Sequence, residues 1–179
     1  MRHAFTVNRA PVLTLWGIVV AQRLGFERKE ALTLGSAVAG LNAYAKGVAI
    51  GLFKSTPEEV RERRRKLRPA EIISVDLLGR AVPAVRTVQG LRALSKGRPL
   101  EPERVERYLE SKFGDALEEV SGAMTQLARA LGPERLASEA YALYERFRPQ
   151  IAPGKRGWGA TGRLSLDVIR ALATSQTAA

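Results

Sequence analysis

Apolar residues recur at helical spacing between residues 28 and 53 (Ala31, Leu34, Val38, Leu41, Ala45, Val48, Leu52), in a stretch that is also dense in alanine and glycine. A helix of that composition lets a neighbour come close to its backbone. Upstream, residues 12–21 are nearly all apolar. Asn8 can cap, and Pro11 can occupy the first turn of, a helix predicted to run to about Leu24, where Gly25 ends it. Trp16 reads as a core anchor within it, and residues 1–9 read as a flexible basic arm carrying the sole histidine, His3. From Arg28 a second helical region begins. Gly35, Gly40, Gly47 and Gly51 each cost a helix about 1 kcal/mol relative to alanine, so the pattern predicts at least one break.

Beyond this region Thr56-Pro57-Glu58-Glu59 forms a capping box with proline at the first helical position, and Pro69 stops the helix that follows. The texture then turns β-branched. Ile72-Ile73-Ser74-Val75-Asp76-Leu77 and Ala81-Val82-Pro83-Ala84-Val85-Arg86-Thr87-Val88, separated around Gly79-Arg80, read as a hairpin over residues 72–88. Pro83 confines the second strand to an edge or a bulge. Helices are predicted over about 103–113, from Asp115 to about Leu131, and from Gly132-Pro133 to near Phe147. Leu117, Val120, Met124, Leu127 and Leu131 form one apolar stripe, and Leu136, Ala140, Leu143 and Phe147 another. Tyr108, Tyr141, Tyr144 and Phe147 read as core or interface residues. A last helix is capped by Ser165 with Asp167 in its first turn. The expected fold class is therefore mainly α, a helical protein with a small β-hairpin. Residues 1–90 would form a basic region and 91–179 a packing and homo-oligomerising part.

Charge adds a direction to this picture. The chain of 179 residues carries a net charge of +11, with 29 basic side chains against 18 acidic ones. Arginine dominates the basic set, and guanidinium forks onto phosphate oxygens, so the excess suits a polyanionic partner. The surplus is uneven, about +8 in residues 1–90 against +3 in the remainder. Its densest stretch holds Arg61, Arg63, Arg64, Arg65, Lys66 and Arg68, too many cations for Glu58, Glu59 and Glu62 to neutralise on one helix. A solvated charge run is the plainer alternative.

Ala31, Gly35, Leu41 and Tyr44 are spaced as the small, turn-glycine and buried positions are in helix-turn-helix DNA-binding proteins, which this stretch resembles. Glu30 and Ser36 stand where that family usually buries an apolar residue. The resemblance implies a turn at residues 35–37 and a reading helix over about 38–46 that exposes Asn42 and Lys46 to bases and phosphates. The hairpin would then stand where a winged-helix protein places its wing, with Arg80 and Arg86 near the backbone. The other reading is an Ala/Gly-rich helix pair packed closely in a core or at a dimer interface. A similarity in shape to histone-like proteins, a short helix before a long one, is slighter.

Residues 154–162 form a glycine-rich basic loop with Lys155, Arg156 and Trp158, followed by Arg163. Gly157, Gly159 and Gly162 match the bare dinucleotide-binding spacing, but only seventeen residues follow, too few for the rest of that unit. Loop glycines would instead let backbone N–H groups approach a phosphate, with Trp158 stacking on a base or simply filling a gap. The chain contains no cysteine, so thiolate nucleophiles, disulfides and Cys-based metal sites are excluded, and one terminal histidine cannot build a triad. No enzyme activity, metal or cofactor is expected. Residues 12–21 are too short to span a bilayer, and their periodicity continues past a signal-like length, so a cytoplasmic protein without membrane insertion is expected. The predicted function is nucleic-acid binding, DNA before RNA; the alternative is a non-enzymatic protein-interaction module with a basic surface.

Overall fold

The apolar run near the start of the chain becomes the centre of the fold. The structure, a computed structural model, describes residues 3–49, 72–151 and 160–177. Helix α1 (Arg9–Arg23) is buried at every position from 11 to 21. A helix apolar on all sides needs partners on all sides. Gly25, at φ +109°, turns the chain into α2 (Arg28–Ala49), which packs back along α1. The two meet at glycines. A Cβ on Gly35 would lie 2.5 Å from the carbonyl oxygen of Thr14 and 2.6 Å from Ile18 Cγ1, and one on Gly17 would lie 3.0 Å from Gly35 Cα.

The expected break in this region does not occur. Helix α2 runs without interruption through residues 35–37, so the helix-turn-helix turn is absent and Gly35 is a contact point. Magnitudes explain the outcome. An interior glycine costs about 1 kcal/mol, whereas burying Leu32, Leu34 and Val38, each at most 1% exposed, returns about 2 kcal/mol apiece.

The hairpin is part of a larger meander. Strands β2 (Ile73–Leu77), β3 (Arg80–Thr87), β4 (Gly90–Ser95) and β5 (Arg98–Pro99) form an antiparallel sheet in sequence order. The β2–β3 turn falls at Leu78 and Gly79, one residue before the position read from sequence, and both have positive φ (50° and 74°). That pattern suits a tight hairpin turn whose twist matches its strands. Pro83 is not at the sheet edge, since β3 lies between β2 and β4. The β3–β4 ladder nevertheless stops at Ala84↔Ala93, so proline falls one residue beyond it and deprives it of no donor. The sheet packs on α2 through β3 and β4, so it is not placed as a wing beside a reading helix.

Helices α3 (Pro102–Phe113), α4 (Leu117–Arg129) and α5 (Pro133–Phe147) follow, with a 3₁₀ turn at Gly114–Ala116 between the first two. Their bounds agree with those read from the apolar stripes. Helices α4 and α5 pack on α1, and α3 lies against α2. Trp16 Nε1 donates to the Ala140 carbonyl at 2.8 Å, and its ring meets Phe147 edge-on at 5.3 Å. Arg23 caps the end of α4 by donating to the carbonyls of Ala128 and Leu131.

The supposed N-terminal arm is a strand. β1 (Ala4–Asn8) pairs antiparallel with β6 (Thr161–Ser165), which leads into α6 (Leu166–Thr177). Ser165 Oγ accepts from Val168 N at 3.3 Å, as its predicted capping role requires. His3 contributes Nδ1 to Asp167 at 3.0 Å and its carbonyl to Leu166 N–H at 2.8 Å, fixing the ribbon to α6. Buried residues from both halves of the chain form one core, and the described residues are mixed α/β rather than purely helical. No described helix is long and apolar enough to cross a membrane.

Candidate anion-binding site

Because α1 and α2 fold back on each other about Gly17 and Gly35, the first residue of α1 returns to the level of Asn42. Asn42 is 5% exposed, and its Oδ1 accepts two hydrogen bonds, from Arg80 Nη2 at 3.0 Å and from the Tyr141 hydroxyl at 3.2 Å. Strand β3 supplies the arginine and α5 the tyrosine. The Tyr141 ring lies 5.7 Å from that of Tyr144, which is fully buried. Arg9, within electrostatic reach of Tyr144 and Tyr141, donates Nε to the Pro149 carbonyl at 3.0 Å, and Arg148 follows directly on α5. Arg9, Arg80 and Arg148 are all partly buried.

The electrostatics are one-sided. Burial, and then the neighbouring Arg148, lowers the pKa of Arg9, although a guanidinium stays charged at any physiological pH. Burial pushes the Tyr144 hydroxyl up to about 12, against the opposing pull of Arg148 and Arg9, so it remains a neutral phenol. No carboxylate among the described residues lies within ion-pairing distance of Arg9, Arg80 or Arg148. The start of α1 carries no side-chain cap and no acidic residue in its own first turn to offset the positive end of its dipole.

The other end of α2 is arranged differently. There Arg28 meets Glu106 at 3.3 Å and Lys29 meets Glu103 at 3.8 Å, both acids from α3. From Arg28 to Asn42 the helix rises roughly 21 Å, at 1.5 Å per residue. Among the described residues, then, cations have carboxylate partners at the Arg28 end of the α1–α2 pair and none at the Asn42 end.

Two of the residues singled out from sequence, Asn42 and Arg80, meet in this cluster. Asn42 is buried with its oxygen engaged, so it positions Arg80 and does not face a groove. Its inward direction follows from the unbroken α2, which turns that face toward β3 and α5. Lys46 lies in α2 with its side chain outside the described residues. Arg163 lies in β6 with an exposed side chain, its backbone paired to Thr6 and Gln150. Gly162, read as the end of a loop, belongs to the same strand, where a Cβ would lie within contact of the Gln150 backbone. Arg61, Arg63, Arg64, Arg65, Lys66, Arg68, Lys155, Arg156 and Trp158 lie outside the described residues. From the sequence Arg9 belongs to a flexible arm and Tyr141 to a core or an interface. Their convergence with Arg148 has no local signal, because the partners are separated by well over a hundred residues.

Fold and site together define a mixed α/β protein with arginines and tyrosines set about the Asn42 end of a central helix pair. Compared with known proteins, the chain matches no family model, no curated protein and no solved structure. Among the described residues no group of three or more acidic or histidine side chains is placed to hold a metal ion.

Proposed function

We propose that this chain is a nucleic-acid-binding protein that engages phosphates, acting as a binding protein and not as an enzyme. The observation that carries the reading is the set of three partly buried arginines, Arg9, Arg80 and Arg148, with no carboxylate partner among the described residues. Desolvating cations beside one another costs free energy, and an anion that arrives with its own charge offsets that cost. The net charge of +11 supports the same reading by steering any polyanion toward the surface. With α2 unbroken and Asn42 buried, the preference for DNA over RNA loses its support, and recognition of phosphate is what remains.

The test is a titration of the nuclease-treated protein against labelled duplex DNA, single-stranded DNA and structured RNA over a salt series. The logarithm of the affinity should fall linearly with the logarithm of salt concentration, and three phosphate contacts alone give a slope of about −2 on a single strand. Replacing Arg148 with glutamine should weaken binding several-fold and reduce the slope by about one. Absence of binding at low salt would remove this reading and favour an acidic protein partner.

A further inference from the structure

The two outer edges of the four-stranded sheet are finished differently. On the β4 side, Glu30 and Thr33 accept from the amides of Leu91 and Ala93, and β5 is two residues long and ends in Pro99, which has no N–H. Strand β2 has no such cover. The tight turn at Leu78 and Gly79 closes on Leu77↔Arg80, and the hydrogen-bonded pairs of the ladder then recur at Val75↔Val82 and Ile73↔Ala84. Ser74 and Asp76 therefore direct their main-chain N–H and C=O outward, and these groups have no partner among the described residues. Both side chains are exposed.

A bare edge is a template for another strand unless something blocks it. Lysine and proline, two common blocks, are absent from Ile73-Ser74-Val75-Asp76-Leu77, and its β3 ladder runs without a bulge. The strand is also complementary to itself. Turned about a two-fold axis through Val75, Ser74 faces Asp76 of the second copy. These are the residues whose main-chain groups point outward, so each such pair exchanges both of its bonds. The Ser74 hydroxyl can donate to the facing carboxylate. On the opposite face Val75 meets its own equivalent and Ile73 stands across from Leu77, which lengthens an apolar row left half-buried at Ile73 and Val75. An axis at Asp76 would oppose two carboxylates, and one at Ser74 would set Asp76 against Ile72.

We propose that β2 is a homodimer interface, on which a second copy of this chain lays its own β2 antiparallel across a two-fold axis at Val75, so that two sheets become one. The proposal stands independently of the nucleic-acid reading. Each copy carries a net charge of +11, so association works against self-repulsion and strengthens as salt screens it, the opposite sign from phosphate binding. A strand of five residues gives a small interface, and the dimer dissociates on dilution.

Sedimentation equilibrium of the nuclease-treated chain over a salt series should show a monomer–dimer equilibrium with a dissociation constant of about 10–100 μM, falling several-fold as salt rises. Because the chain has no cysteine, one introduced thiol reports the register. Directly opposed Cβ atoms lie about 4.5–5.5 Å apart and diagonal neighbours about 7–8 Å, so mild oxidation should link Val75→Cys into a dimer about tenfold faster than Ser74→Cys or Asp76→Cys. Ser74→Pro removes an outward N–H and keeps the β2–β3 ladder, so it should give a folded monomer, with thermal unfolding as the check. A monomer at every concentration and salt would overturn the proposal, as would a dimer unchanged by Ser74→Pro. Fastest linkage through Ser74→Cys or Asp76→Cys would overturn the axis at Val75. The wild-type and cysteine measurements do not depend on the proline variant, so its failure to fold would not obscure the result.

Discussion

A methyl group added at Gly35 would have nowhere to go. Its Cβ would lie 2.5 Å from a backbone oxygen of α1 and 2.8 Å from the Ile18 amide nitrogen, atoms that move only if the helices part. Gly35→Ala should therefore destabilise the protein by about 2–4 kcal/mol, although alanine is the better helix former by about 1 kcal/mol. Gly40, in the same helix, is exposed, and a methyl added there would meet nothing within 4 Å, so Gly40→Ala should be neutral or stabilising by up to about 1 kcal/mol. Urea denaturation of the two variants measures the contrast, and a Gly35→Ala protein as stable as the parent would contradict the close crossing. The alanine and glycine density between residues 28 and 53 already signalled a close approach. It could not say that Gly35 was the point of approach, because a glycine that permits contact and one that permits a turn look alike in a single sequence. Asn42 misled for a related reason. A polar residue at helical spacing reads as exposed until the element that covers it, here β3 with Arg80 and α5 with Tyr141, is known.

At the scale of elements, the sheet has an edge that α2 completes. Strand β5 covers the outer side of β4 only at Leu94 and Ser95, which leaves the amides of Leu91 and Ala93 without a strand partner. Glu30 Oε2 accepts from Leu91 N at 2.8 Å and Thr33 Oγ1 accepts from Ala93 N at 3.0 Å. An exposed edge thus becomes a helix–sheet joint held by side chains. Thr33→Val preserves shape and leaves a buried N–H unpaired, so it should cost about 1–3 kcal/mol and accelerate amide exchange at Ala93, whereas Thr33→Ser should keep most of both. Unaltered exchange at Ala93 in the valine variant would show that the joint does not hold this edge. The helices of the second half were legible because their apolar stripes are local and regular, and their ends carry proline or glycine. Strands β1, β4 and β6 were not. Gly90-Leu-Arg-Ala-Leu-Ser lacks β-branched residues, and β1 owes its conformation to a partner near the other end of the chain, which no local pattern reports. The four-stranded meander was half legible for the same reason, its first hairpin rich in valine and isoleucine and its continuation not.

Across the whole molecule, arginine does two kinds of work, and the geometry separates them. Arg23 lies at one end of α1 and donates to two carbonyls at the end of α4, where it meets backbone demand and helix-dipole charge. Arg148 lies near the other end of α1, beside Arg9, with no side-chain bond among the described residues and a like charge for a neighbour. In a chain of net charge +11 such a neighbour is a source of self-repulsion. The two positions should therefore respond with opposite signs. Arg23→Gln should lower stability by about 1–2 kcal/mol and leave nucleic-acid affinity unchanged, since it removes charge-assisted bonds far from the cluster. Arg148→Gln should weaken binding and raise stability at low salt by about 0.5 kcal/mol, a gain that fades as salt screens the repulsion it relieves. Thermal unfolding over a salt series, paired with the binding titration on the same preparations, measures both. Were Arg148→Gln to lose stability and affinity together, the arginine would be holding the end of α5 in place, and its lack of a carboxylate partner among the described residues would carry no meaning for a ligand.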